Sequence, residues 1–227
     1  MKAAGKAVKG VIFDVDGTLL DSVEVWMTVS SKYIRSLGLV PEEGLDEYIF
    51  SMSMDEGAVY LSERYHLEKA PRQIIKEIDE MLKEYYWKEA PLREGAMELL
   101  RWLRQQNIPA AVATATDEPL ITGAFERLGI RSFFRKIFTC SQVGEGKRSP
   151  LIYEKAAECL GTKPEETLVF EDALYALTTA RKAGFMTAGV YERHCLPEQP
   201  LIRERADIYG PGLKELLKIL MKEQEKK

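Results

Sequence analysis

The sequence is poor in the residues that build the commonest metal and nucleophile centres. It has two histidines, His66 and His194, and three cysteines, Cys140, Cys159 and Cys195, in 227 residues. Two histidines give little support to a histidine-rich metal site or to a serine–histidine charge system. His66, in the run Glu63-Arg64-Tyr65-His66, reads as a solvated helix residue. The cysteines are odd in number and far apart, and they form no ligand-spaced pair. They suggest a reducing compartment, so a cytoplasmic location is expected. No stretch approaches the roughly 20 apolar residues needed to span a bilayer. The basic segment 1–9 lacks an apolar signal core. The net charge is −4, so neither nucleic acid nor an anionic membrane is an expected partner. No internal repeat is visible, and no low-complexity segment beyond the charged tail 222–227.

What is present is enough apolar residue, 45% of the chain, for one large domain or two smaller ones. The most informative stretch is Gly10-Val11-Ile12-Phe13-Asp14-Val15-Asp16-Gly17-Thr18. A short apolar strand ends in two carboxylates one residue apart, and a glycine turns the chain just after them. Alternate strand residues share a face, so Asp14 and Asp16 start out together. Two carboxylates at one point repel unless a cation lies between them or one holds a proton. Either outcome serves chemistry: a divalent metal can be held, and one Asp can act as nucleophile while the other moves protons.

Beyond this motif the periodicity turns helical. Val23, Trp26, Met27, Ser30, Ile34 and Leu37 fall near a 3.6 period that Gly38 can stop. A short helix follows over 43–50. Ser53-Met54-Asp55-Glu56 reads as a capping box opening a helix to about His66. Pro71 can begin another, with Ile74, Ile75, Ile78, Met81, Leu82 and Tyr85 as its apolar stripe. From Pro91 helices and strands alternate. Helices are predicted over 94–106, 118–128, 150–160, 173–183 and 212–221. Strands are predicted over 110–114, 136–139, 167–170, 186–190 and 207–209. This alternation implies a parallel sheet covered on both faces. The first strand belongs to that sheet, and the helical stretch is an insert. The expected division is 1–21 with 89–227 as the core domain, and 22–88 as the inserted one.

Open parallel sheets bind ligands at the carboxyl ends of their strands, and three further polar groups fall there. The strand Ala110-Ala111-Val112-Ala113 ends in Thr114-Ala115-Thr116, where a hydroxyl and backbone amides can hold a phosphoryl oxygen, or Thr114 can simply cap the next helix. Gly144-Glu145-Gly146-Lys147-Arg148-Ser149-Pro150 sets two cations in a glycine-rich turn before a helix. Thr167-Leu168-Val169-Phe170 delivers Glu171-Asp172, an acid pair that can bind metal or cap a helix.

Asp14-x-Asp16-Gly17-Thr18, followed in order by Thr114, Lys147 and Glu171-Asp172, resembles the four motifs of the haloacid-dehalogenase-like (HAD) superfamily over nearly the whole chain. There are two departures. Arg148 stands where the family commonly has proline, and Ala173-Leu174-Tyr175-Ala176 replaces a common Ser and Gly-containing turn. The insert position resembles the subgroup with an α-helical cap. The resemblance implies an α/β fold, a Rossmann-like parallel sheet core with an inserted α-helical cap. It also implies a phosphatase acting through an aspartyl-phosphate on a small-molecule phosphate ester, with a monomer expected. Asp14 would be the nucleophile. Asp16 would protonate the leaving oxygen and then activate water. Mg2+ would be held by Asp14, the Asp16 carbonyl and Asp172, with Glu171 beside it or through water. Gly17, Thr114, Ala115 and Lys147 would bind the phosphoryl group, and whether Arg148 shares that role stays open. Sugar phosphomutases of similar sequence carry a histidine early in the first cap helix, and Trp26 occupies the matching position. Indole is a donor only, so hydrolysis is the first expectation. Mutase activity is the alternative, and phosphate binding without turnover a more remote one.

Overall fold

The computed structural model describes residues 1–50, 52 and 54–225. It divides into two compact units, Met1–Asp21 with Pro91–Lys227, and Ser22–Ala90.

The first unit opens on a hairpin of β1 (Lys2–Ala3) and β2 (Lys6–Ala7). The two residues between these strands, Ala4 and Gly5, both have positive φ. That conformation suits the right-handed twist of a two-residue hairpin loop. Both loop amides donate to the Glu223 carboxylate, each at 3.0 Å. Neither strand is long enough to give a periodic signal, and the sequence reading has no hairpin here.

The central strand, β3 (Gly10–Phe13), is buried throughout. The second unit follows it, built of α1 (Val23–Trp26), α2 (Val29–Ser36), α3 (Leu45–Phe50), α4 (Met54–Arg64) and α5 (Pro71–Lys88). The single helix expected from Val23 to Leu37 is two helices. The Thr28 hydroxyl bonds back to the carbonyls of Glu24 and Val25, at 3.1 and 3.2 Å, offering the backbone an alternative to the helical ladder. Ser53, the expected cap of α4, lies outside the described residues. Pro71 takes the first position of α5, where a missing N–H costs nothing. The buried stripe of α5 is Ile74, Ile78, Leu82 and Tyr86, while Met81 is exposed. Tyr86 rather than Tyr85 completes the stripe, because i, i+4 from Leu82 stays on the inner face. The Tyr86 hydroxyl accepts from the Trp26 indole N–H at 2.8 Å. His66 has φ +50 and sits exposed in the turn beyond α4, not on the helix.

The chain returns to the first unit through α6 (Ala96–Gln105), β4 (Ala110–Thr114), α7 (Glu118–Arg127), β5 (Phe134–Thr139), α8 (Cys140–Val143) and α9 (Leu151–Leu160). It continues with β6 (Thr167–Glu171), α10 (Leu174–Lys182), β7 (Met186–Val190), α11 (Gln199–Arg205), β8 (Ile208–Gly210) and α12 (Leu213–Glu225). Strands β3 to β8 form one parallel sheet in the order β5-β4-β3-β6-β7-β8. Its centre is buried on both faces, which is why these strands read as unbroken apolar runs. On one face Ile12, Ala111, Ala113 and Val169 pack against Ile152, Tyr153, Ala156 and Ala157 of α9, with Ala180 of α10. On the other face Phe13 stacks on Phe170 at 4.7 Å and meets Phe134 edge-on at 6.1 Å. The order reverses between β3 and β6, which sets a crevice at their carboxyl ends. Among the described residues no helix is long and apolar enough to cross a membrane, and the three cysteines are not disulfide-bonded.

Candidate active site

The acids predicted from the sequence sit at that reversal. The Asp14 amide donates to the Phe170 carbonyl at 3.0 Å, extending the β3–β6 pairing by one residue before the chain leaves the sheet. The turn that follows is tight. The amides of Leu19 and Leu20 both reach the Val15 carbonyl at 2.8 Å, and Gly17 has φ +82, which a side chain would resist. The Gly17 amide is bonded to the Leu20 carbonyl at 2.9 Å, so in this structure it closes the turn. Thr18 ties the same turn to β6: its hydroxyl donates to Asp172 Oδ1 at 3.1 Å.

Lys147 arrives from the turn before α9. It is 5% exposed, and its ammonium donates to Asp14 Oδ1 and, at 2.8 Å, to Glu171 Oε1. Arg148 points elsewhere: it is exposed and lies 5.0 Å over the ring of Tyr175. Successive residues in the turn thus divide the two cations, one inward and one over an aromatic face. Thr114 ends β4 fully buried, with its hydroxyl accepting the Thr116 amide at 3.1 Å. Ala115 lies exposed between them. The Thr116 hydroxyl donates to Asp16 Oδ2 at 2.6 Å. Asp16 is therefore engaged from β4, while Asp14 is engaged by Lys147.

Two residues in contact with these acids, Thr116 and Tyr153, were given no role by the sequence motifs. Thr116 stands two positions beyond Thr114, a spacing that places both at one strand end. Tyr153 is the polar member of the buried face of α9, and its hydroxyl donates to Glu171 Oε1 at 2.7 Å. A lone hydroxyl within an apolar stripe is the signal that could have found it, since a buried phenol needs a partner.

The electrostatics follow from crowding. Burial would depress the Lys147 ammonium, but Asp14 and Glu171 outweigh it and hold it well above the ordinary lysine range. Burial, with Asp14 adding to it against the pull of Lys147, pushes the Glu171 carboxyl up to about 7. Burial first, then Asp14 and Glu171, push Asp172 well above the usual carboxylate range. One oxygen each from Asp14, Glu171 and Asp172 lie within 4.8 Å of one another. Three buried acids against one lysine leave negative charge unbalanced, and hard carboxylate oxygens at this spacing suit a divalent cation. The donor set fits the metal that the motifs imply.

The chain is similar to known phosphatases over most of its length. A "Phosphorylated carbohydrates phosphatase" of Thermotoga maritima is 28% identical over 177 residues, covering 78% of this chain and 82% of the relative. A "Phosphoglycolate phosphatase" of Neisseria meningitidis is 29% identical over 201 residues, covering 84% of this chain and 83% of the relative. The crystal structure of CbbY from Rhodobacter sphaeroides in complex with phosphate has the same fold. Its TM-score is 0.77 at 24% identity, and 92% of this chain and 96% of that one are covered. The family model for haloacid dehalogenase-like hydrolases matches residues 8–184, from the first strand of the sheet to beyond the Glu171–Asp172 pair. With most of its length inside that match, this chain belongs to the haloacid dehalogenase-like hydrolase family.

Proposed function

We propose that the chain is a magnesium-dependent phosphatase of small organic phosphate monoesters, working through a phosphorylated Asp14. The observation that carries this reading is the arrangement of Asp14. It stands at the carboxyl end of β3 with one oxygen on the buried Lys147, and one of its carboxylate oxygens lies within 4.8 Å of an oxygen of Glu171 and of Asp172. A carboxylate held this way is oriented, as a nucleophile must be. Asp14 attacks phosphorus and the ester oxygen leaves. Asp16 gives that oxygen its proton, and then takes one from the water that releases phosphate from Asp14. Thr116 fixes the Asp16 carboxylate for this exchange. Lys147 offsets charge on Asp14 and on the phosphoryl oxygens, and Thr114 and Ala115 lie at the neighbouring strand end to receive those oxygens. Asp14 and Asp172, with the Asp16 carbonyl and Glu171, would hold Mg2+, which when bound would supply further charge neutralisation at phosphorus. These parts all belong to the sheet unit. Substrate choice is therefore assigned to the helical unit, as a cap.

The curated relatives named above act on phosphorylated carbohydrates and phosphoglycolate, both small monoesters, which supports that substrate class. Hydrolysis is preferred over phosphomutation because α1 carries Trp26, whose one hydrogen-bonding atom donates to Tyr86. The test is turnover of a panel of sugar phosphates and phosphoglycolate with Mg2+, alongside β-glucose 1-phosphate with a bisphosphate primer. Inorganic phosphate release that stops with chelator is expected. Conversion of β-glucose 1-phosphate to glucose 6-phosphate faster than phosphate release would overturn the hydrolase reading.

A further inference from the structure

Arg93 is a residue that no motif singles out. It lies where the chain re-enters the sheet unit, and it touches the catalytic turn twice. Its backbone amide donates to the Leu19 carbonyl at 2.9 Å. Its guanidinium donates through Nη1 to the Gly17 carbonyl. The same nitrogen reaches Glu192 Oε2 at 2.7 Å, and Nη2 reaches the Tyr191 carbonyl at 2.7 Å. Tyr191 and Glu192 follow β7 directly. One planar group thus spans the turn after β3 and the turn after β7.

The far end of this span is itself fixed. The Glu192 side chain is 2% exposed, and its other oxygen accepts from the His194 amide at 3.2 Å and meets His194 Nδ1 at 2.7 Å. The Glu192 carbonyl accepts from Gln199 at 3.2 Å, and Gln199 in turn accepts from the Tyr209 hydroxyl at 3.1 Å. A buried carboxylate anchored on several sides needs a cation, and a guanidinium fork can bond several acceptors in fixed geometry. Thr18 anchors the catalytic turn to Asp172 from one side. Arg93 anchors it from the other. Asp16 lies immediately before Gly17, so the direction of its backbone depends on where the Gly17 carbonyl is held.

We propose that Arg93, braced by Glu192, is a positioning residue that sets the orientation of Asp16 by holding the Gly17 carbonyl. The inference rests on the phosphatase reading given above, in which Asp16 moves the protons. Arg93 touches none of Asp14, Asp16, Lys147 or Asp172 by a side-chain bond among the described contacts. Its loss should therefore disturb proton transfer and leave ester binding nearly intact. Misplacement by about 1 Å costs on the order of 100-fold in rate in such sites.

The test is steady-state hydrolysis of p-nitrophenyl phosphate with Mg2+ by wild type, Arg93→Met and Arg93→Lys, each checked for native circular dichroism. Lysine keeps the charge beside Glu192 but cannot bridge Gly17, Glu192 and Tyr191 together. It guards against the methionine variant failing to fold. The expected result is kcat lowered about 30-fold or more in Arg93→Met and about 10-fold in Arg93→Lys, with KM within about threefold of wild type in both. A folded Arg93→Lys with wild-type kcat would overturn the proposal, and so would a loss confined to KM. Failure of the phosphatase reading would look different: wild type itself would release no phosphate.

Discussion

Replacing Glu171 by Gln should stabilise the metal-free protein at alkaline pH while impairing the enzyme. Burial raises the Glu171 carboxyl from about 4.5 to about 7, even with Lys147 pulling it down. Each unit is worth roughly 1.4 kcal/mol, so ionising Glu171 costs the fold on the order of 3 kcal/mol. The folded protein binds this proton more tightly than the unfolded chain. The contribution to stability is therefore complete below about pH 4.5 and is lost as pH rises through about 7. Glutamine resembles the protonated acid and keeps an acceptor for the Tyr153 hydroxyl. Lys147 keeps Asp14 as its partner. In thermal unfolding with chelator, the two proteins should melt together near pH 4.5. At pH 8 the variant should melt roughly 6–12 °C higher, taking about 2–4 °C per kcal/mol for a chain of this size. Added Mg2+ should raise the wild-type melting temperature more than that of the variant, because one ligand oxygen is gone. A variant less stable than wild type at pH 8, or a difference that ignores pH, would refute the reasoning. It would mean that the Lys147–Glu171 pair repays its own burial.

Lys147→Ala should lower kcat/KM by about 100-fold or more, and Arg148→Ala by less than about threefold, since one cation reaches Asp14 and the other lies over Tyr175. The reverse order in steady-state assays would show that Arg148 is the working cation. Gly95→Ala should destabilise the protein by about 3 kcal/mol in urea unfolding. Its φ is +87, and a Cβ there would stand 2.7 Å from the Lys214 Cα, which is backbone and cannot turn aside.

Much of the sheet was legible because its chemistry is local. Strands such as Gly10–Phe13 and Thr167–Glu171 are buried on both faces, so they stand out as apolar runs against the periodic helices around them. The acids that end them were legible for the same reason: an apolar strand that stops at Asp14 or Glu171 marks its own carboxyl end. Which cation turns inward was legible only through the family resemblance, which assigns that place to Lys147. Lys147 and Arg148 are neighbours with the same charge, and their separation depends on the phase of the turn before α9 and on the ring of Tyr175. The helix break at Thr28 was hidden because its hydroxyl competes for carbonyls without disturbing the apolar period. Arg93 and Glu192 were invisible for a plainer reason. They are 99 residues apart, and neither sits in a pattern that implies the other.

The central claim, hydrolysis through a phosphorylated Asp14, is tested most directly by mixing enzyme, Mg2+ and a turned-over phosphate ester, quenching in acid within one turnover, and mapping the peptides by mass spectrometry. The account predicts a phosphoryl increment on the peptide that carries Asp14, absent from Asp14→Asn, which should fold normally and release no phosphate. Phosphate release by Asp14→Asn at the wild-type rate, or an increment on a different peptide, would contradict it.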